Sequence, residues 1–144
     1  VVAFLDMLAW SEGTKGKGDD GYNIIVGGSQ FNDYREHPRK LIDLPRLGIK
    51  STAAGRYQLL SKYYDAYKRL LKLSDFSPVN QDKIAIQQIK ERKAYQLIIS
   101  GQLPAAILQC SNIWASLPGN NYGQRQHQVA DLTAKFVEFG GVVA

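Results

Sequence analysis

Phe4-Leu5-Asp6-Met7-Leu8-Ala9-Trp10-Ser11-Glu12-Gly13-Thr14 is the stretch on which the reading of this chain turns. Val1, Val2, Phe4, Leu5, Leu8 and Ala9 recur at helical spacing, and Gly13 is the residue type that lets a helix stop in the left-handed conformation. A helix is therefore expected to end near Glu12. Three, four and seven residues before Glu12 stand Ala9, Leu8 and Leu5, which puts its side chain on the apolar stripe and away from the exposed face of Asp6. A carboxylate there sits at the negative end of the helix dipole among apolar neighbours, and both effects disfavour its charged form. A carboxyl protonated near neutral pH is what a general acid requires. The plainer alternative is a frayed, solvated glutamate at a helix end, and position alone leaves both readings open.

Working outward, Lys15 to Gly21 has the composition of an exposed, mobile loop. Tyr22-Asn23-Ile24-Ile25-Val26 is a β-branched and aromatic run ended by Gly27-Gly28, and Gln30-Phe31-Asn32 is expected to pair back on it as a hairpin, the one β element predicted. From Asp33 to Lys50, with Pro38 and Pro45 and no sustained period, the chain reads as a long irregular loop, of a length that commonly serves binding. A central helix is predicted from Leu59 to Leu73, with Tyr63, Tyr64, Tyr67, Leu70 and Leu71 on its apolar side. Asn80 is expected to cap the next helix, which carries Ile84, Ile86, Gln87 and Ile89 at helical spacing. Shorter helices follow over Tyr95 to Ile99 and Pro104 to Cys110, then a glycine-rich turn from Pro118 to Gly123 and a last helix from His127 to Phe139. The sum is an α+β fold, mostly short helices with one small β-hairpin lobe, in a single domain over residues 1–144.

At 44% hydrophobic and 22% charged, 144 residues suffice for one globular domain with a real core. No apolar run approaches the roughly 20 residues needed to cross a bilayer, so no stable membrane insertion is expected. No basic segment precedes the first apolar residues, so they do not read as a secretory signal. Cys110 stands alone and is expected to be a small core residue. A net charge of +5 points to a polyanionic partner, be it nucleic acid, anionic lipid or an anionic cell-surface polymer. The basic residues are scattered and no nucleic-acid motif is present, so nucleic acid is not expected. One Cys and two His at no ligand spacing argue against zinc, His127 reads as a surface or capping residue, and no phosphate-binding loop occurs; no metal or cofactor is expected. What remains is Glu12 with eight tyrosines, Trp10, Trp114, and the amides of Asn23, Gln30, Gln58, Asn120, Asn121 and Gln124. Rings that stack on pyranose faces and amides that bond hydroxyl and acetamido groups are the equipment of a sugar site.

The motifs then become recognisable. Phe4 to Thr14, Gly21-Tyr22-Asn23-Ile24-Ile25-Val26-Gly27-Gly28, His37-Pro38-Arg39-Lys40-Leu41, Ser51-Thr52-Ala53-Ala54-Gly55-Arg56-Tyr57-Gln58-Leu59-Leu60, Gln87 to Arg92 and Cys110 to Gly119 resemble the lambda-type endolysin family of bacteriophages, in order and over nearly the whole chain. The resemblance implies a lysozyme-like fold, its hairpin lobe flanking an active-site cleft, and a lytic transglycosylase acting on peptidoglycan. It assigns the sole catalytic carboxylate to Glu12 and substrate contacts to Ser51, Tyr57 and Gln58, with Tyr22 and Asn23 beside them and Tyr122 as a weaker match. The loop between Glu12 and Tyr22 is shorter than in the family, and Asn23 stands where the family has an acidic residue. The family further implies a monomer that depends on a holin, waits in the host cytoplasm until holin-mediated release, and acts in the periplasm.

In that chemistry protonated Glu12 donates to the oxygen linking N-acetylmuramic acid to N-acetylglucosamine, and the muramic acid's own C6 hydroxyl closes a 1,6-anhydro ring. Two rivals stand beside it. A hydrolysing muramidase would pair Glu12 with one of Asp19, Asp20, Asp33, Glu36 or Asp43, and a non-catalytic wall-binding module would not need Glu12 at all.

Overall fold

Helix α1 spans Val2–Glu12 and stops where the sequence places its end: Gly13 adopts φ 80° and ψ 18°, and its N–H donates to the Ala9 and Trp10 carbonyls. Glycine takes this left-handed turn without steric penalty. In the computed structural model, which describes residues 1–120 and 126–144, α1 is not the one-sided helix its spacing suggests. Ala3, Phe4, Leu5, Met7, Leu8, Ala9 and Ser11 are all buried, and even Asp6 is half-buried. Met7 and Ser11 lie off the expected stripe, so the helix is enclosed on nearly every side.

Helix α1 belongs to a compact unit formed by Val1–Gly13 and Ala85–Ala144, called here the terminal unit. Its other helices are the later part of α3 (Pro78–Glu91), α4 (Tyr95–Ile99), α5 (Leu103–Cys110) and α6 (Val129–Glu138). Helix α6 packs on α1 and α5, and α5 packs on α4. The fully buried Phe4, Met7, Leu8, Leu103, Ile107 and Leu132 form its core, each worth about 1.5–3 kcal/mol of burial. Cys110 is a core residue, as expected, and burial pushes its thiol pKa up to about 12. Helix α6 starts later than predicted, with Gln128 rather than His127 at its N-cap.

The middle unit comprises Thr14–Ile84. Its regular sheet is not where the sequence reading put it. The expected hairpin at Tyr22–Asn32 is reduced to a bridge between Ile24 and Gln30, because Ile24, Ile25 and Val26 take their other partners from Ala53, Ala54 and Gly55. The two-stranded antiparallel sheet lies in the segment expected to be irregular: β1 (Ile42–Leu44) pairs with β2 (Ile49–Ser51), Leu44 facing Ile49 and Ile42 facing Ser51. Pro45 starts the connecting turn rather than breaking a strand, and Gly48 at φ 65° closes it.

Helix α2 (Ser61–Leu71) is likewise not central. Tyr64 is its one fully buried residue among those described, while Tyr63 and Leu70 are 47% and 59% exposed. Tyr64, with Tyr67 and Leu71, packs along one edge against Phe76, Ile84 and Ala54. His37 is buried beside this cluster; the Arg39 N–H donates to its Nδ1 at 2.9 Å, which leaves Nε2 to donate to the Leu59 carbonyl at 2.8 Å. Burial lowers its pKa, so the ring is a neutral structural pin. Nor does Asn80 cap α3: the helix begins at Pro78, and the Asn80 side chain reaches back to the carbonyl and carboxylate of Asp75. Gln88, not Gln87, is buried on α3, as are the earlier amides Asn80 and Gln81.

Candidate active site

Glu12 occupies the last helical position of α1, fixed there by the Gly13 turn. The residue keeps partial solvent exposure, yet its carboxyl is desolvated, and burial raises its pKa from an ordinary 4.5 to about 7 against the opposing pull of a hydrogen bond from the Ser116 hydroxyl. A group with that pKa holds its proton at neutral pH and can still release it. The surroundings within the terminal unit are specific. Ser11 Oγ lies 2.7 Å from Ser116 Oγ, His127 Nε2 lies 3.1 Å from the Ser11 carbonyl, and the His127 N–H donates to the Ser116 carbonyl at 2.9 Å. The His127 ring packs on Trp10 at 4.5 Å between centroids. His127 therefore braces the Glu12 turn rather than capping a helix. Its sequence signal, a lone histidine before an amphipathic run, gave no hint of this, and neither did Ser116.

The remaining described candidates lie in the middle unit. Tyr22 and Tyr57 converge on one carboxylate: the Tyr57 hydroxyl donates to Asp82 Oδ1 at 2.6 Å, and the Tyr22 hydroxyl donates to Oδ1 and Oδ2 at 3.0 and 3.2 Å. Burial first, and Asp82 next, raise the pKa of both phenols. Arg56 threads between them, its guanidinium 5.2 Å from the Tyr22 ring centroid and 5.7 Å from that of Tyr57. Its side chain is 4% exposed and is satisfied by the Asp20 carbonyl and carboxylate and the Tyr57 hydroxyl. Thr14 Oγ1 donates to the Arg56 carbonyl at 2.6 Å, tying down the chain just past Gly13. Gly55, at φ 85°, has no room for a Cβ beside Gln81 and Phe76, and that close approach lets Gln81 accept from the Arg56 N–H while donating to the Tyr22 and Phe76 carbonyls.

Gln58 takes a left-handed φ of 53° and donates through Nε2 to the Ile24 and Gly55 carbonyls. Asn23 accepts from the Asp19 N–H at 2.8 Å, which ends the exposed loop after Thr14. Ser51 stands apart at the end of β2, its hydroxyl accepting from the Ala53 N–H. Tyr122 lies outside the described residues, as do Asn121 and Gln124. Tyr22 and Tyr57 thus share one network, and Gln58 is pinned beside it on the Ile24 and Gly55 carbonyls. The network's hub, Arg56, Gln81 and Asp82, is not legible in the sequence, because no local pattern ties Arg56 to Asp20, or Gln81 and Asp82 of α3 to Tyr22, about sixty residues earlier.

The fold and the desolvated carboxyl define an α+β, lysozyme-like protein, and the comparisons agree. The chain superposes on bacteriophage lambda lysozyme complexed with a chitohexasaccharide at a TM-score of 0.95, with 56% identity over 99% of this chain and 94% of that one. A second structure of lysozyme from bacteriophage lambda matches at 0.91, with 55% identity over 99% and 95%. In sequence the chain is 58% identical to the endolysin of Escherichia phage lambda over 98% of its own length and 91% of that protein's. It is 46% identical to the endolysin of Escherichia phage P2 over 100% and 94%. The Endolysin family model matches residues 2–143, and the chain belongs to the endolysin family.

Proposed function

We propose that this endolysin is a lytic transglycosylase, cleaving the bond from N-acetylmuramic acid to N-acetylglucosamine with formation of 1,6-anhydromuramic acid. That it is a peptidoglycan-degrading enzyme follows from its family. The observation that carries the finer reading is the Glu12 carboxyl, whose pKa of about 7 suits one group to give a proton and then take one. Protonated Glu12 gives its proton to the bridging oxygen, the bond to the muramic acid C1 breaks, and the leaving sugar departs as an alcohol. Ionised Glu12 then removes the proton of the C6 hydroxyl as O6 bonds to C1. Atoms balance without water, and Glu12 ends as it began.

Hydrolysis would need a second carboxylate to activate water or to attack the sugar. Most of the loop carboxylates that might serve already hold other partners. Asp19 accepts from the Tyr34 hydroxyl, Asp20 holds Arg56, Asp33 pairs with Arg35, and Glu36 takes both Arg39 and Lys68. Arg35 and Lys68 hold the Asp33 and Glu36 carboxyls below their usual range, so both favour staying ionised and paired. Asp43 faces Lys50 across the β1–β2 ladder. Tyr22, Asn23, Ser51, Tyr57, Gln58 and Tyr122 are proposed to line the glycan path, Tyr57 by holding Asp82 and Tyr22 in place. By the same family reading the monomeric enzyme waits in the host cytoplasm until a holin opens the inner membrane, then acts in the periplasm; lysis of cells expressing the chain with and without a holin tests that. The activity is tested by mass spectrometry of muropeptides released from purified Gram-negative peptidoglycan. Anhydro ends from the wild type and no products from Glu12→Gln are expected. Reducing ends would favour a muramidase, and full lytic effect of Glu12→Gln would favour a wall-binding module.

A further inference from the structure

We infer that Ser116, braced by Ser11, is a positioning residue that lets Glu12 act first as acid and then as base. The inference rests on the transglycosylase reading of Glu12. Ser11 and Glu12 are consecutive residues in the last turn of α1, and both serines are buried with their hydroxyl oxygens 2.7 Å apart. The Ser116 hydroxyl also hydrogen-bonds the Glu12 carboxyl. The backbone on both sides is held, at Ser116 by the His127 N–H and at Ser11 by the His127 ring. A hydroxyl has one proton to give and lone pairs to accept. With Glu12 ionised, Ser116 donates to the carboxylate and accepts from Ser11. With Glu12 protonated, Ser116 rotates, donating to Ser11 and accepting from the carboxyl. Both contacts of Ser116 stay occupied through the cycle, whichever way the protons run.

This matters between the two proton transfers. The carboxylate formed on Glu12 must persist in a desolvated place until it takes the C6 proton, and a buried anion without a donor is costly. Ser116 supplies the donor without locking the anion, because the hydroxyl can turn back. Among the described residues of α1 and of the segment packed on it, the charged and titratable groups are Asp6, more than a turn away on α1, His127 in the lead-in to α6, and Asp131, Lys135 and Glu138 on α6, with Lys135 Nζ 5.4 Å from the Trp10 ring.

The test is a titration of the full chain carrying 13C-labelled glutamate, with Glu12→Gln assigning the resonance. In Ser116→Ala the Glu12 titration is expected to move up by about one pH unit, since a donor to the carboxylate is lost. Ser116→Thr, which keeps the hydroxyl, restores it, and Ser11→Ala moves it the same way by less. On peptidoglycan the alkaline limb of kcat for Ser116→Ala moves up in step, and kcat falls about tenfold with KM little changed. A Ser116→Ala titration and pH profile superimposable on wild type overturn the inference. Ser11→Ala gives an independent reading should Ser116→Ala not fold, and an unmoved titration there counts against it. The titration needs no substrate, so its result is separable from failure of the transglycosylase reading, which shows itself as reducing-end products from the wild type.

Discussion

Glu12 combines a functional asset with a stability cost, and both depend on pH. Its pKa of about 7 in the folded chain means that activity falls as pH rises through about 7, when the acid is lost. A kcat/KM profile on peptidoglycan should show that descending limb. Because the folded-state pKa lies above the ordinary 4.5, the folded chain binds the proton more tightly than the unfolded chain does. The destabilisation is therefore absent below pH 4.5, grows from 4.5 to 7 and levels off above. Glu12→Gln is expected to match wild type in thermal stability near pH 4. At pH 8 it should be more stable by on the order of 2 kcal/mol, the shift being discounted for the residue's partial exposure. Equal stability at both pH values would mean the carboxyl is well solvated. Arg56 carries the opposite signature. It is a buried cation whose partners all survive its removal, so Arg56→Met leaves Asp20 and the Tyr57 hydroxyl short of a donor and the Tyr22 and Tyr57 rings without their cation. Urea denaturation should show a loss of about 3 kcal/mol.

At the scale of the element, local geometry decides what can be improved and what could be read in advance. Helix α2 ends with Lys72 at φ 54° and ψ 48°, a left-handed cap that suits glycine better than lysine. Lys72→Gly is expected to stabilise the fold by up to about 1 kcal/mol, and a lowered melting temperature would mean the Lys72 side chain has a role the cap geometry does not show. The end of α1 at Gly13, helix α4 and, to within one residue, the start of α5 beside Pro104 were legible because each is set by short-range chemistry. The β1–β2 hairpin was not, although Ile-Asp-Leu and Ile-Lys-Ser alternate around a Pro-to-Gly turn, because a proline between two short runs looks the same whether it interrupts a strand or, as Pro45 does, starts a turn. Asn80 misled in the same way: a good capping residue type was used as a clasp on the preceding turn. Of the candidate site, Glu12 could be read from the clash between its helical position and its charge. Asp82, Gln81 and Ser116 could not, since each acts on a residue far away in the chain.

At the scale of the molecule, charge and chemistry make separable predictions. The net charge of +5 should draw the enzyme to an anionic wall, an attraction that salt screens. Activity on intact peptidoglycan is expected to fall between about 0.05 and 0.3 M salt, while binding of an uncharged chitooligosaccharide stays nearly constant. Equal sensitivity of the two would place the effect of salt on the fold rather than on the encounter. With Glu12 as the sole acid and base, the oxygen at the new muramic acid terminus comes from the sugar's own C6 hydroxyl and not from water. The most direct measurement is digestion of purified peptidoglycan in 18O-enriched water with mass analysis of the released ends. If Glu12 alone shuttles the proton, the ends are 1,6-anhydro and carry no heavy oxygen; heavy oxygen at the muramic acid C1 would show that water attacks, and a second carboxylate would have to be sought.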